Sequence, residues 1–70
     1  MKRRDVLKKI RAEANRQGVS YDEAELTRHT GIRVGGLRTT VPRHTEIPDR
    51  VAQTIFKQLE PALGEGWWRR

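Results

Sequence analysis

The chain has no cysteine, and aromatic residues are scarce among its 70 residues. Without cysteine, disulfide bridges and thiolate zinc sites are excluded. The two histidines have no clustered carboxylates around them, so we expect no metal and no other cofactor. No apolar run approaches the roughly 18 residues that a membrane span needs, and the basic first residues lack the apolar segment of a secretion signal. These absences predict a cytoplasmic protein without a membrane partner.

Positive charge is what the chain has in excess. Lysine and arginine number 15 against 9 acidic residues, for a formal net charge of +6. Most are arginine, whose planar guanidinium binds phosphate through two parallel hydrogen bonds. We therefore expect a polyanionic partner and favour nucleic acid. The alternatives are an acidic protein partner, or arginine usage without functional meaning. A chain of 70 residues forms one small domain, with no room for a deep cofactor cavity.

Hydrophobic periodicity predicts the element order helix, three strands, helix. We expect helices over residues 5–17 and 48–60, and strands over residues 19–28, 30–34 and 37–41. Gly18 suits the end of the first helix, and Pro61 is expected to end the second. Because both helices are amphipathic, the predicted fold class is α+β: α-β-β-β-α, a three-stranded antiparallel sheet with two helices on one face. Double-stranded-RNA-binding domains share this layer arrangement.

Three consecutive cations conflict with the predicted start of the first helix. Lys2, Arg3 and Arg4 place positive charge where the helix dipole disfavours it. Such a conflict indicates either a helix end that faces phosphate or a frayed terminus, and the frayed terminus is the simpler explanation.

The end of the chain shows no periodicity. We take residues 1–63 as one RNA-binding domain and residues 64–70 as a C-terminal tail. Trp67 and Trp68 in this tail either stack on bases or, as we favour, pack loosely on the second helix or stay disordered.

The centre of the chain, residues 29–44, is predicted to form a tight β-hairpin that carries both histidines. Gly35-Gly36 is typical of a two-residue type I′ turn, in which both residues have positive φ. Across such a turn Arg33 lies opposite Arg38, and the other face of the hairpin is apolar. Two adjacent guanidinium groups repel unless an anion lies between them, so this pair predicts an anion site.

Four segments combine in a recognisable way. They are a basic first helix, a His-Thr pair, a hairpin that closes in Val-Pro-Arg-His, and an Ile-Pro helix start, found at residues 2–10, 29–30, 41–44 and 46–59. Together they resemble the HicA family of toxin mRNA interferases over about residues 2–60. The resemblance implies a double-stranded-RNA-binding-like fold and metal-independent cleavage of mRNA. It also implies two partners, mRNA and a HicB-like antitoxin.

In the HicA family a single histidine at the start of the second strand is catalytic, which by position implies His29. The family usually has a glycine-containing turn immediately before that histidine, where this chain has Thr27-Arg28. Metal-free RNA cleavage needs the 2′-hydroxyl deprotonated and the 5′-oxygen protonated, and a histidine does either near neutral pH. We therefore expect His29 to be the general base or acid.

Cations and a second histidine complete the predicted site. The expected contacts to the scissile and neighbouring phosphates are Arg28, Arg33 and Arg38, with Lys2, Arg3 and Lys8 as outer contacts. His44 is expected to be structural and to hydrogen-bond the loop backbone before the second helix. The alternative for His44 is a second proton-transfer group.

These features predict a small ribonuclease toxin, an enzyme that cleaves mRNA and is inhibited by a HicB-like antitoxin. The alternative is a non-catalytic RNA- or DNA-binding module on the same fold, in which His29 is a solvated strand-edge residue. A third class is a small ribosome-associated or adaptor protein, which needs no active site. RNA binding without RNA cleavage distinguishes a binding module from a nuclease.

Overall fold

The fold is an open antiparallel sheet with helices on one face. The computed structural model of the protein describes residues 1–69, so Arg70 of the predicted tail lies outside the described residues. The elements in chain order are α1 (Arg3–Gln17), β1 (Tyr21–Glu25), β2 (His29–Val34), β3 (Leu37–Pro42), α2 (Asp49–Gln58), α3 (Glu60–Leu63) and a 3-10 turn (Trp67–Arg69). The strand order is β1-β2-β3, and both neighbouring pairs are antiparallel. The predicted element order and the α+β fold class are confirmed.

The start of α1 is anchored to the loop that precedes α2. Lys2 forms an isolated β-bridge with Glu46, and the backbone N–H of Arg3 donates to the Thr45 carbonyl at 2.9 Å. The helix begins at Arg3, earlier than predicted. The simpler explanation of the three leading cations, a frayed terminus, is therefore wrong.

Gly18 ends α1 as predicted. It has a φ of 72°, and its N–H donates to the carbonyl of Asn15 at 3.2 Å. The next N–H, that of Val19, donates to the carbonyl of Ala14 at 2.8 Å. This pair of bonds is a Schellman motif, in which the N–H groups of Gly18 and Val19 bond to the last turn of the helix.

Strand β1 is shorter than the predicted strand over residues 19–28. The helix end occupies its first positions, and a turn over residues 26–28 occupies its last ones. The N–H of Leu26 closes that turn by donating to the His29 carbonyl at 2.8 Å. The observed strand is therefore limited to Tyr21–Glu25.

The β2–β3 hairpin has the predicted turn and register. Gly35 and Gly36 have φ values of 56° and 92°, both positive as the two-residue turn requires. Arg33 pairs with Arg38 across the two strands. A Cβ added at Gly35 would lie only 2.9 Å from Cγ1 of Val19. Glycine at this position is thus required both by its φ and by its neighbour.

The core lies between the inner face of the sheet and the helices. Buried residues of β2, β3, the helices and the segments that connect them form one cluster, which consists of Val6, Leu7, Ile10, Ala14, Ile32, Val34, Val41, Ile47, Ala52, Ile55, Phe56, Leu59, Leu63 and Trp67. The outer face of the sheet carries exposed polar residues such as Asp22 and Arg33. This arrangement confirms the predicted apolar faces of both helices and their position on one side of the sheet. Within residues 1–69 no helix combines the length and the hydropathy that crossing a membrane requires.

The helical region continues past Pro61, contrary to the prediction. Helix α2 ends at Gln58, and α3 follows with Pro61 in its first turn. A first-turn proline loses no helical hydrogen bond, because the N–H it lacks has no partner at a helix start. Pro61 therefore lies in the first turn of a short helix, where we expected it to end a long one.

The segment after α3 returns to the core through Trp67. The Trp67 ring is 2 % exposed, lies edge-on to Phe56 with centroids 5.1 Å apart, and donates from Nε1 to the Phe56 carbonyl at 2.9 Å. Trp68 is half-buried, with its ring centroid 5.9 Å from that of Phe56. The packing alternative is confirmed for both tryptophans, although Trp67 packs tightly where we expected loose packing or disorder.

Candidate nucleic-acid interface

A groove follows the free edge of β3, between this strand and α2. Its volume is about 630 Å³. The lining residues include His29, Arg38, Thr40, Pro42, Thr54 and Gln58. We call it the β3–α2 groove. Its combination of a histidine, a cation, hydroxyls and apolar surface offers contacts to the phosphate, sugar and base of a nucleotide strand.

His29 reaches the groove from the first position of β2. It pairs with Pro42 of the edge strand in the β2–β3 register. Its side chain is exposed, and within residues 1–69 it forms no hydrogen bond. Both ring nitrogens are therefore accessible to a strand bound in the groove.

A polar network centred on Glu25 lies beside the turn that precedes His29. The Thr30 hydroxyl donates to the Glu25 carboxylate at 2.8 Å, and the Arg3 guanidinium lies 3.9 Å from the same carboxylate. Arg3 also donates to the Thr30 hydroxyl. Thr30 is fully buried, so these bonds satisfy a hydroxyl that has no access to water.

Arg43 connects the network to the turn itself. Its guanidinium donates to the Leu26 carbonyl at 2.6 Å and pairs with Glu25 at 2.8 Å. Arg43, in the loop after β3, thus fixes the turn over residues 26–28 at Leu26, the first residue of that turn. This contact holds the backbone before His29 in place without a glycine.

The outer face of the sheet carries the predicted arginine pair. Arg33 and Arg38 face each other in the β2–β3 register, and Asp22 of β1 lies opposite Arg33 on its other side. All three line a shallow hollow of about 360 Å³ that also includes Gly31. The predicted anion site therefore has a carboxylate beside it, which offsets part of its charge. Of the pair, Arg38 also lines the groove with His29.

A third concavity is lined almost entirely by cations. It has a volume of about 340 Å³, and its lining residues are Lys2, Arg3, Arg4, Arg43 and Thr45. We call it the cationic pocket. Backbone bonds between the start of α1 and the loop before α2 bring the residues of the pocket that come from α1 next to those that come from this loop. The predicted outer RNA contacts Lys2 and Arg3 thus lie in one pocket, next to Arg4 and Arg43.

The other predicted site residues lie at exposed positions outside these three concavities. Arg28 is in the turn before β2, and Lys8 is on the solvent side of α1. His44 is exposed, and within residues 1–69 its side chain forms no hydrogen bond. Backbone groups fix its loop instead: the Ile47 N–H donates to the Met1 carbonyl at 2.7 Å. The hydrogen bond that we expected between the His44 side chain and the loop backbone is therefore not among those of residues 1–69.

Sequence patterns did not single out several residues of the interface. Glu25 and Arg43 acquire their importance only from contacts between distant parts of the chain. Thr54 and Gln58 lie one turn apart on α2, on the side that faces β3, and Thr39 donates to the Gln58 amide oxygen. The spacing of four residues places Thr54 and Gln58 on the same face of α2, but the orientation of α2 toward the sheet is needed to show that this face borders β3.

The clearest pKa shift belongs to Tyr21 of β1, which does not line the groove. Burial raises the pKa of its hydroxyl above the usual range, and the hydrogen bond to Glu23 at 2.8 Å raises it further. Within residues 1–69 no three His, Asp or Glu side chains gather into a metal-binding cluster.

Comparison with known proteins does not assign this site. No protein-family model, no curated protein and no solved structure matches the chain. A functional proposal therefore depends on the groove, its histidine and the surrounding cations.

Proposed function

We propose that this protein is a metal-independent endoribonuclease of the HicA toxin type, which cleaves mRNA. The observation that carries the proposal is the placement of His29 in the β3–α2 groove together with Arg38. An accessible imidazole and a guanidinium that line the same open groove of a basic protein suit cleavage of a polyanionic strand.

His29 and Arg38 supply what phosphodiester cleavage needs from side chains. The 2′-hydroxyl loses its proton and its oxygen attacks phosphorus, the bond from phosphorus to the 5′-oxygen breaks, and that oxygen takes up a proton. The products are a 2′,3′-cyclic phosphate and a 5′-hydroxyl. The imidazole acts as base at the first oxygen or as acid at the second, and water in the open groove exchanges the other proton. The guanidinium stabilises the charge that builds on the phosphate oxygens.

The remaining walls of the groove suit a single-stranded substrate. Hydroxyls of Thr40 and Thr54 and the amide of Gln58 offer hydrogen bonds to sugar and base edges, and Val51 and Ile55 offer apolar contact. A single strand presents these groups, whereas a duplex keeps its base edges paired. We therefore propose single-stranded or ribosome-bound mRNA as the substrate, and the cytoplasm as the place of action.

A HicB-like antitoxin is the proposed inhibitor of this activity. The cationic pocket and the His29 end of the groove lie where β2 begins and β3 ends. An acidic partner that covers this end would shield His29 and the neighbouring cations at once.

Paired histidine variants test the proposal. General acid–base catalysis contributes about 10²- to 10⁴-fold to rate, so His29→Ala is expected to lower RNA cleavage by that factor and to abolish growth arrest on expression. His44→Ala is the matched control, because His44 is exposed outside the groove, and it should retain activity. Cleavage by the wild-type protein should persist in EDTA.

Two results would contradict the proposal. A folded His29→Ala protein that still arrests growth would remove His29 from the mechanism. A wild-type protein that binds RNA with steep salt dependence but never shortens it would favour the non-catalytic binding module.

A further inference from the structure

We infer that the cationic pocket is a second phosphate-binding site, which holds the RNA backbone beyond the end of the β3–α2 groove. The inference rests on the proposed function for its choice of RNA as the ligand. It adds Arg4 and Arg43 to the RNA-binding surface and gives Lys2 and Arg3 a defined place in it.

The fold gathers like charges into one concavity. Lys2, Arg3 and Arg4 come from the start of α1, and Arg43 comes from the loop after β3. Backbone bonds fix the two segments against each other, so the backbone positions that carry these cations stay close together. Holding like charges together is unfavourable unless an anion offsets them.

The acidic residues near the cationic pocket leave it with a positive charge. Glu25 lies 2.8 Å from Arg43 and 3.9 Å from Arg3, so it orients both guanidinium groups while offsetting one charge. Within residues 1–69 the side chains of Lys2 and Arg4 form no ion pair. Their donors are therefore free for a ligand.

Glu46, the acidic residue bridged to Lys2 through the backbone, does not neutralise the pocket. Its carboxylate lies 2.9 Å from the amino group of Met1. The positive charge of Lys2 therefore stays available to a ligand in the pocket.

The cationic pocket lies next to His29 through residues that neighbour it in the chain or in the sheet. Arg43 directly follows Pro42, which pairs with His29 across the β2–β3 ladder. Arg3 donates to Thr30, the residue after His29. A strand that leaves the groove at His29 therefore meets the pocket next. Several converging donors, most of them guanidinium, match the oxygens of a phosphodiester.

Salt dependence of RNA binding tests the pocket. Anisotropy of a labelled single-stranded 12-nucleotide RNA would give Kd from low to high KCl, in a His29→Ala background that prevents cleavage. Each lost phosphate contact lowers the slope of log Kd against log salt by about 0.7 for a single strand. We expect that decrease for Lys2→Gln and for Arg4→Gln. Arg11→Gln, an exposed cation of α1 outside the pocket, is the charge-matched control and should leave the slope unchanged.

A second pair of variants moves affinity in the opposite direction. Glu25 competes with phosphate for Arg3 and Arg43, so Glu25→Gln should bind the same RNA several-fold more tightly. Glu23→Gln removes the same charge from the same face of β1, next to Tyr21 and away from the pocket. It should tighten binding less.

The outcomes separate this inference from the proposed activity. Equal slope changes in the pocket variants and in Arg11→Gln, or equal gains for Glu25→Gln and Glu23→Gln, would overturn the pocket even if the wild-type protein cleaves RNA. Pocket-specific changes in a protein that never cleaves RNA would uphold the pocket and overturn the nuclease. Absence of RNA binding would overturn both.

Discussion

Replacement of Trp67 tests whether the C-terminal segment belongs to the folding unit. Its ring is 2 % exposed and lies 5.1 Å from Phe56 between ring centroids. Truncating a buried tryptophan to alanine costs about 3–5 kcal/mol. A domain of this length has a total stability of about 4–10 kcal/mol, at roughly 0.05–0.15 kcal/mol per residue. Trp67→Ala is therefore expected to remove a large share of the free energy of unfolding.

Trp67→Phe separates the packing contribution from the hydrogen bond. Phenylalanine keeps an aromatic ring in the core but has no N–H to donate to the Phe56 carbonyl. That carbonyl still accepts the N–H of Leu59 at 3.1 Å, so it is not left unpaired. We expect a smaller loss, about 1–2 kcal/mol, from the hydrogen bond and the reduced ring volume together.

Urea denaturation followed by far-ultraviolet circular dichroism measures these losses without relying on tryptophan fluorescence. Trp68→Ala is the control, because Trp68 also packs against Phe56 but is only half-buried. It should cost less than half as much as Trp67→Ala. Equal denaturation midpoints for the wild-type protein and Trp67→Ala would refute the assignment of Trp67 to the core.

Two further predictions concern backbone strain and alkaline pH. Asparagine is normally accepted in a type I′ turn, yet Gly35→Asn should lower stability by about 1 kcal/mol or more, because its Cβ would meet Val19 at 2.9 Å. Gly36→Asn meets no atom within 4 Å and should cost less; equal losses in urea denaturation would contradict this reasoning. The raised pKa of Tyr21 means that the folded state retains the hydroxyl proton while the unfolded chain loses it near pH 10. Stability should therefore fall as pH rises above 10, and Tyr21→Phe should show a smaller drop in Tm between pH 8 and pH 11; an equal drop would exclude Tyr21 as the cause.

Local signals accounted for the elements and for the central hairpin. Apolar residues at helical spacing marked the buried faces of both helices, because burial on one side of a helix imposes that spacing. The Gly35-Gly36 pair fixed the turn, and with it the pairing of Arg33 with Arg38, since a two-residue turn leaves one register. These features depend on neighbours in the chain, which a sequence displays directly.

Element boundaries and the C-terminal segment depended on contacts that a sequence does not display. The start of α1 is fixed by residues before α2, and β1 is shortened by turns whose hydrogen bonds are not visible as a pattern. The C-terminal segment has no hydrophobic periodicity, yet Trp67 belongs to the core. A single large ring packs beside Phe56 without needing a periodic pattern in the residues around it.

The candidate interface shows the same division. The sequence by itself placed His29 immediately before the second predicted strand of a basic protein, and it placed Arg33 and Arg38 on one face of the hairpin. Only the tertiary structure decided which cations share a concavity, since Glu25 meets Arg43 and the start of α1 meets the loop before α2 across long stretches of chain. The chemistry of each side chain can be read from the sequence. Which side chains lie around the same concavity depends on how the helices pack on the sheet.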